Sequence, residues 1–147
     1  MVRINIIEPE LLSDQHLIAE KNEIGMLFGY VRKYPEIKEE EIPKEYTLNY
    51  GHMKFFKNKL GYLSKREKSI RIEMKRRNFK CGRELDLSIY SKKHMGQWKP
   101  KKKDYNIIIK RISERLMKKP SWYRYCSVYL GKKNTVKMVK SMRNLYL

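Results

Sequence analysis

Few side chains in this sequence are of a type and spacing that do chemistry by themselves. Glu23 is a carboxylate inside a helical pattern; a positioned carboxylate can stabilise a developing cation or move a proton, and a lone helical glutamate serves equally well as a solvated face residue. His16, in the first turn of the same pattern, brings an imidazole that titrates near neutral pH, with the same two readings. His16, His52 and His94 are widely separated and lack a paired motif such as HExxH, so no metal site is expected. Cys81 and Cys126 are not in CxxC spacing and read as free thiols. No phosphate loop, no dinucleotide-binding GxGxxG and no GxSxG nucleophile elbow occurs, which counts against nucleotide-driven and hydrolase chemistry and against a cofactor. Lys119, Trp122, Tyr123, Arg124 and Tyr125 interleave stacking surfaces with cations, a composition suited to gripping unstacked or distorted nucleic acid. Trp122 and Tyr125 would serve as well to close a core beneath the preceding helix.

Charge says what such residues meet. The 147 residues carry 35 Lys and Arg against 16 Asp and Glu, a net charge of +19, while the 41% apolar fraction lies in the globular range. A chain of this length suits one domain, and a field of this strength points to a polyanion, nucleic acid above anionic lipid. Residues 1–45 hold 6 basic and 10 acidic side chains, 46–99 hold 15 and 4, and 100–147 hold 14 and 2, giving net charges of −4, +11 and +12. The last two thirds should therefore supply most phosphate contacts. No run approaches the roughly 18 apolar residues of a membrane span. The opening carries Glu8, Glu10 and Asp14 where a leader would be basic and then apolar. An intracellular protein is expected.

Three helices must position these residues. Leu17, Ile24, Leu27, Phe28 and Val31 recur at helical spacing behind a cap at Ser13 or Asp14, predicting a first helix that runs to about Tyr34, before Pro35. Gly25 and Gly29 within it each cost about 1 kcal/mol relative to alanine, and leave room for another backbone to approach. The acidic stretch 36–45 reads as a connector. A second helix over about 52–79 carries Phe56, Leu60, Leu63, Ile70 and Met74 on one stripe, with Lys65, Arg66, Lys68, Arg71, Lys75, Arg76 and Arg77 elsewhere. After an irregular connection over 81–103, Asp104 caps a third helix with Ile108, Ile109, Ile112 and Leu116 inward, ending before Pro120. The expected fold is one compact all-α domain of three main helices with long irregular connections. On composition and spacing alone it is a small, strongly basic nucleic-acid binder.

Three ordered blocks add a resemblance. VRINIIEPELLSDQHLIAE (2–20), GHMKFFKNKLGYLSKR (51–66) and KKPSWYRY (118–125) are similar, in that order, to the phage endonuclease V family of pyrimidine-dimer DNA glycosylase/AP lyases. The similarity touches most of the chain to about Tyr125, and 131–147 looks like an added basic tail. The resemblance implies a domain whose N-terminal segment passes between helices and brings the chain's own α-amine, here that of Val2 once Met1 is removed, to the damaged sugar. An α-amine with a pKa near about 8 is roughly 10% neutral at pH 7, whereas a lysine near about 10.4 is neutral in fewer than about one molecule in a thousand. Attack on C1′ would expel the base and leave an imine that permits β-elimination.

Glu23 falls on the family's catalytic carboxylate, and Arg3 and His16 match residues that orient the amine and contact phosphate. Arg111 and Arg115 fall on basic third-helix positions that grip the strand, the second of them normally a lysine. Arg32, Lys33, Lys119, Trp122, Tyr123, Arg124 and Tyr125 complete the expected DNA surface. Val2 replaces the usual threonine, Lys21 a tyrosine, and Asn22 and Met26 replace two lesion-facing arginines. The expected partner is damaged duplex DNA, bent at the lesion with a base extruded opposite it, and the expected state is a monomer. Two alternatives are a related glycosylase/lyase for oxidised or ring-opened bases or abasic sites, and a non-catalytic nucleic-acid binder. The basic tail adds DNA affinity or packs as a helix.

Overall fold

The computed structural model describes residues 3–147. Five helices carry the fold: α1 (Asp14–Lys33), α2 (His52–Phe56), α3 (Leu60–Arg76), α4 (Lys102–Lys118) and α5 (Gly131–Tyr146). The described chain is otherwise irregular, apart from single 3-10 turns and one antiparallel hairpin, β1 (Arg124–Tyr125) with β2 (Val128–Tyr129). The all-α expectation is met. Residues to 20 and Pro100–Leu147 form one compact unit and Lys21–Lys99 another, and α1 starts in the first and ends in the second.

In the first unit, α1 is capped as its sequence indicates: Ser13 Oγ accepts the His16 N–H at 3.2 Å, satisfying one of the orphan donors of the first turn. Ile108, Ile109, Ile112 and Leu116 of α4 are all buried, each contributing about 1.5–3 kcal/mol. Asp104 is not the cap residue itself. It lies inside α4, and its carboxylate reaches back to accept the Lys101 N–H at 2.8 Å. The basic tail folds as α5 and packs on α4, with Thr135 and Met142 buried and Tyr146 stacked on Tyr105 at 4.2 Å. Cys126 and Ser127 join the hairpin strands with φ of 50° and 68°, the left-handed geometry that a two-residue hairpin turn demands. Neither is glycine, and the buried Asp14 carboxylate offsets that strain by accepting both N–H groups, at 2.9 and 2.7 Å.

In the second unit, Ile24, Leu27, Phe28 and Val31 of α1 are buried, as are Phe56, Leu60, Leu63, Ile70 and Met74. The single helix expected over 52–79 is instead two. The segment around Gly96 crosses the junction: Gly96 N–H donates to Asn58 O and Tyr62 N–H donates to Gly96 O, both at 3.1 Å. Asn58 is thereby drawn out of the helical ladder, and the first turn of α3 gains an acceptor. The approach needs glycine on both sides, since a Cβ on Gly61 would lie 2.5 Å from Met95 O and one on Gly96 would overlap Asn58 O. Asn78, with φ of 62°, stops α3 short of Phe79, whose N–H turns back to Met74 O at 2.8 Å.

The cationic side of α3 is smaller than its sequence suggests. Arg66, Arg71 and Arg77 are buried. Arg71 pairs with Glu67 and donates to the carbonyls of Gly82 and Arg83, so it ties the following connection down. Arg77 faces Glu73 at 3.5 Å. Burial raises the Glu73 pKa, but hydrogen bonding to Arg76 and the charges of Arg77 and Arg76 outweigh it and hold the carboxyl below its ordinary range. His94 is also structural: Ser91 Oγ lies 2.9 Å from Nδ1 and Pro35 O lies 2.7 Å from Nε2.

Candidate active site

The expected nucleophile, on Val2, lies outside the described residues. The segment that follows it is held tightly in the first unit. Ile4, Asn5, Ile6 and Ile7 are buried, while Arg3 is half-buried. Ile6 has φ of 53°, a conformation costly for a β-branched residue. Two hydrogen bonds hold the turn: Ile7 N–H to Asn5 Oδ1 and Asn5 N–H to Glu20 Oε2, each 3.2 Å. Asn5 and Glu20 thus set the register of the N-terminal segment, and sequence reading gave them no role because neither stands in a recognisable spacing.

His16 is 6% exposed and stacks on Tyr123 with ring centroids 5.0 Å apart. Burial above all, and the charge of Arg115, push its pKa down from 6.5 to about 4. At neutral pH the ring is therefore uncharged, with Nδ1 at 3.1 Å from Ser13 Oγ. It can offer a hydrogen bond but not a cation to a phosphate.

The aromatic block divides by residue. Tyr123 is buried against His16, and burial raises its phenol pKa. Trp122 stays 54% exposed, edge-on to Tyr123 at 4.9 Å, with the Lys119 ammonium 5.9 Å from its ring centre. Tyr125 is half-buried and donates its hydroxyl to Glu10 O at 2.8 Å. Closing the core falls to Tyr123, and the open stacking surface is Trp122. Gln15 brackets the block, its Nε2 donating to Trp122 O at 2.9 Å and its Oε1 accepting Arg124 N–H at 3.0 Å. Arg111 is half-buried, whereas Arg115, Lys119 and Arg124 are exposed.

In the second unit, Glu23 is 3% exposed. The rest of that stretch of α1 shows a bare side: Asn22, Gly25, Met26, Gly29, Arg32 and Lys33 are all exposed, Met26 at 60%. Among the described residues the close approach expected at the glycines is not made, because none of their heavy atoms outside α1's own local backbone lies within 4 Å of a Cβ built on Gly25 or Gly29. The stripe presents naked helix backbone to solvent, between a neutral end at Asn22 and a cationic end at Arg32 and Lys33.

Among the described residues no three His, Cys, Asp or Glu side chains gather as a metal site, and no helix is long and apolar enough to cross a membrane. Both cysteines are free. A family model for pyrimidine dimer DNA glycosylases matches residues 1–87, more than half of the chain and the part that holds Arg3, His16, Glu23, Arg32 and Lys33.

Proposed function

The chain belongs to the pyrimidine dimer DNA glycosylase family, and we propose that it excises the 5′ base of a UV-induced cyclobutane dimer through an imine on its own N-terminal amine, then cleaves the abasic site. The α-amine of Val2, freed by loss of Met1, attacks C1′. The glycosidic bond breaks and the base departs. The sugar ring then opens at the C1′–O4′ bond, O4′ taking a proton as nitrogen loses one, which leaves an imine; removal of a C2′ proton next expels the 3′ phosphate. Glu23 stabilises the cationic sugar and moves the protons. Arg3 and neutral His16 orient the amine, Arg111 and Arg115 hold the strand, and Trp122 stacks on distorted bases.

The observation that carries this reading is the family match over 1–87, which includes the N-terminal segment and Glu23. The 3% exposure of Glu23 suits the role, because a carboxylate withdrawn from water acts on a developing cation through a lower effective dielectric. Borohydride trapping on two duplexes tests it, one with a cyclobutane thymine dimer and one with an abasic site. Covalent adducts on both, mapped to the Val2 amine, are expected; no adduct on either, from protein lacking Met1, sinks the mechanism. Glu23→Gln should retain DNA affinity while nicking drops by at least about a hundredfold.

One observation favours a second reading. Asn22 and Met26 are exposed and uncharged where the resembling family carries arginines, so the same imine chemistry could serve another lesion. An adduct on the abasic duplex alone, with turnover of oxidised or ring-opened bases, would select it.

A further inference from the structure

We propose that the outer face of α5, with the groove between it and the β1–β2 hairpin, is a second contact for the sugar–phosphate backbone of duplex DNA. This rests on DNA being the substrate and is independent of the imine chemistry. Apart from Glu10 and Leu11 in the wall of the groove, it lies beyond residues 1–87, so the family match assigns nothing to α5 or the hairpin.

Helix α5 has two unlike faces. Thr135 and Met142 are fully buried, whereas Lys132, Lys133, Lys137, Lys140 and Arg143 are exposed. Its sequence GKKNTVKMVKSMRNLY holds no carboxylate, and no Asp or Glu follows Glu114 anywhere in the chain. A helix face made only for solubility gains by alternating signs, since like charges three or four residues apart cost about 0.2–0.5 kcal/mol per pair. Lys133 with Lys137, Lys137 with Lys140 and Lys140 with Arg143 accept that repulsion. The stretch from Lys132 to Arg143 spans about 16 Å at about 1.5 Å per residue, roughly the reach of five phosphates along one strand.

The groove beside this face has a volume of about 390 Å³ and is walled by Tyr125, Val128, Tyr129, Asn134, Lys137 and Met138, with Glu10 as its one carboxylate. Val128 and Tyr129 are 68% and 65% exposed, and the Arg124 guanidinium lies 5.8 Å from the Tyr129 ring centre. Apolar and aromatic walls suit sugars, and cations at the rim suit phosphates. A face of lysines flanked by aromatic walls makes this chiefly a backbone contact.

The test compares the full chain with a variant carrying Lys132→Gln, Lys133→Gln, Lys137→Gln and Lys140→Gln, binding a long undamaged duplex across a salt series. If each lysine releases about one counterion, the slope of log affinity against log salt becomes shallower by about 2 to 4. The matching lysine-to-arginine set should keep the original slope. Tyr129→Ala should weaken binding without changing the slope. An unchanged slope in a glutamine variant that melts like the parent overturns the proposal and leaves α5 a solvated face. Binding is read without turnover, so a protein that shows the slope change yet traps no imine fails the mechanism and not this surface.

Discussion

His16 is the candidate whose protonation the fold decides. Its folded pKa of about 4 lies below the unfolded value of 6.5, so between those limits the unfolded chain binds the extra proton. Stability is then fully present above about pH 6.5 and falls as pH drops towards 4, by up to about 3 kcal/mol for this group. Urea titrations at about pH 7 and about pH 4.5 should show that loss, and His16→Gln should shrink the difference between them. An NMR titration that places His16 itself near 6.5 would refute the assignment. Which neighbour buries the ring was not readable beforehand: Trp122 and Tyr123 are adjacent in sequence with equal claims, and Gln15, which fixes the block from both sides, has an undistinguished side chain. Likewise Arg71 and Arg76 cannot be told apart by residue type, yet the first is buried and the second exposed. A guanidinium goes inside only where a carboxylate and carbonyls wait for it, as Glu67, Gly82 and Arg83 do for Arg71.

At the scale of elements, glycines separate packing from exposure. Gly61→Ala should destabilise by more than about 2 kcal/mol, because its Cβ would meet the carbonyls of Met95 and Gly96 at 2.5 and 2.8 Å and the Gln97 side chain besides. Gly25→Ala and Gly29→Ala enter open space in a helix and should each stabilise α1 by about 1 kcal/mol. If the bare stripe is where DNA lies, the same two substitutions should weaken DNA binding while raising the melting temperature. Affinity unchanged alongside a raised melting temperature would remove DNA from that stripe. The helical stripes themselves were legible because each needs only its own periodicity. The α2–α3 break was not, since its cause sits far along the chain at Gly96.

For the whole molecule, the +19 charge should make nonspecific DNA affinity fall steeply with salt. The cations available differ from those the sequence suggests. Lys75, Arg115 and Lys119 are exposed and Arg111 is half-exposed, while Arg77 is buried against Glu73 and Arg76 is partly engaged by the same carboxylate. A log–log slope of about −4 or steeper is expected, and a flat profile in filter binding would contradict the electrostatic reading. The helical class, the uneven charge, the inward stripes of α1, α3 and α4 and the family could all be read before any fold was seen, because periodicity, composition and ordered motifs are properties of the chain taken in order. Three-dimensional packing was needed to learn that Arg66, Arg71 and Arg77 are internal, that Tyr123 is buried while Trp122 is open, that Gly25 and Gly29 face solvent, and that the basic tail is a packed helix. Each of those depends on whether a partner is brought from elsewhere in the chain, and burial of a polar or aromatic group is settled by that partner and not by the group itself.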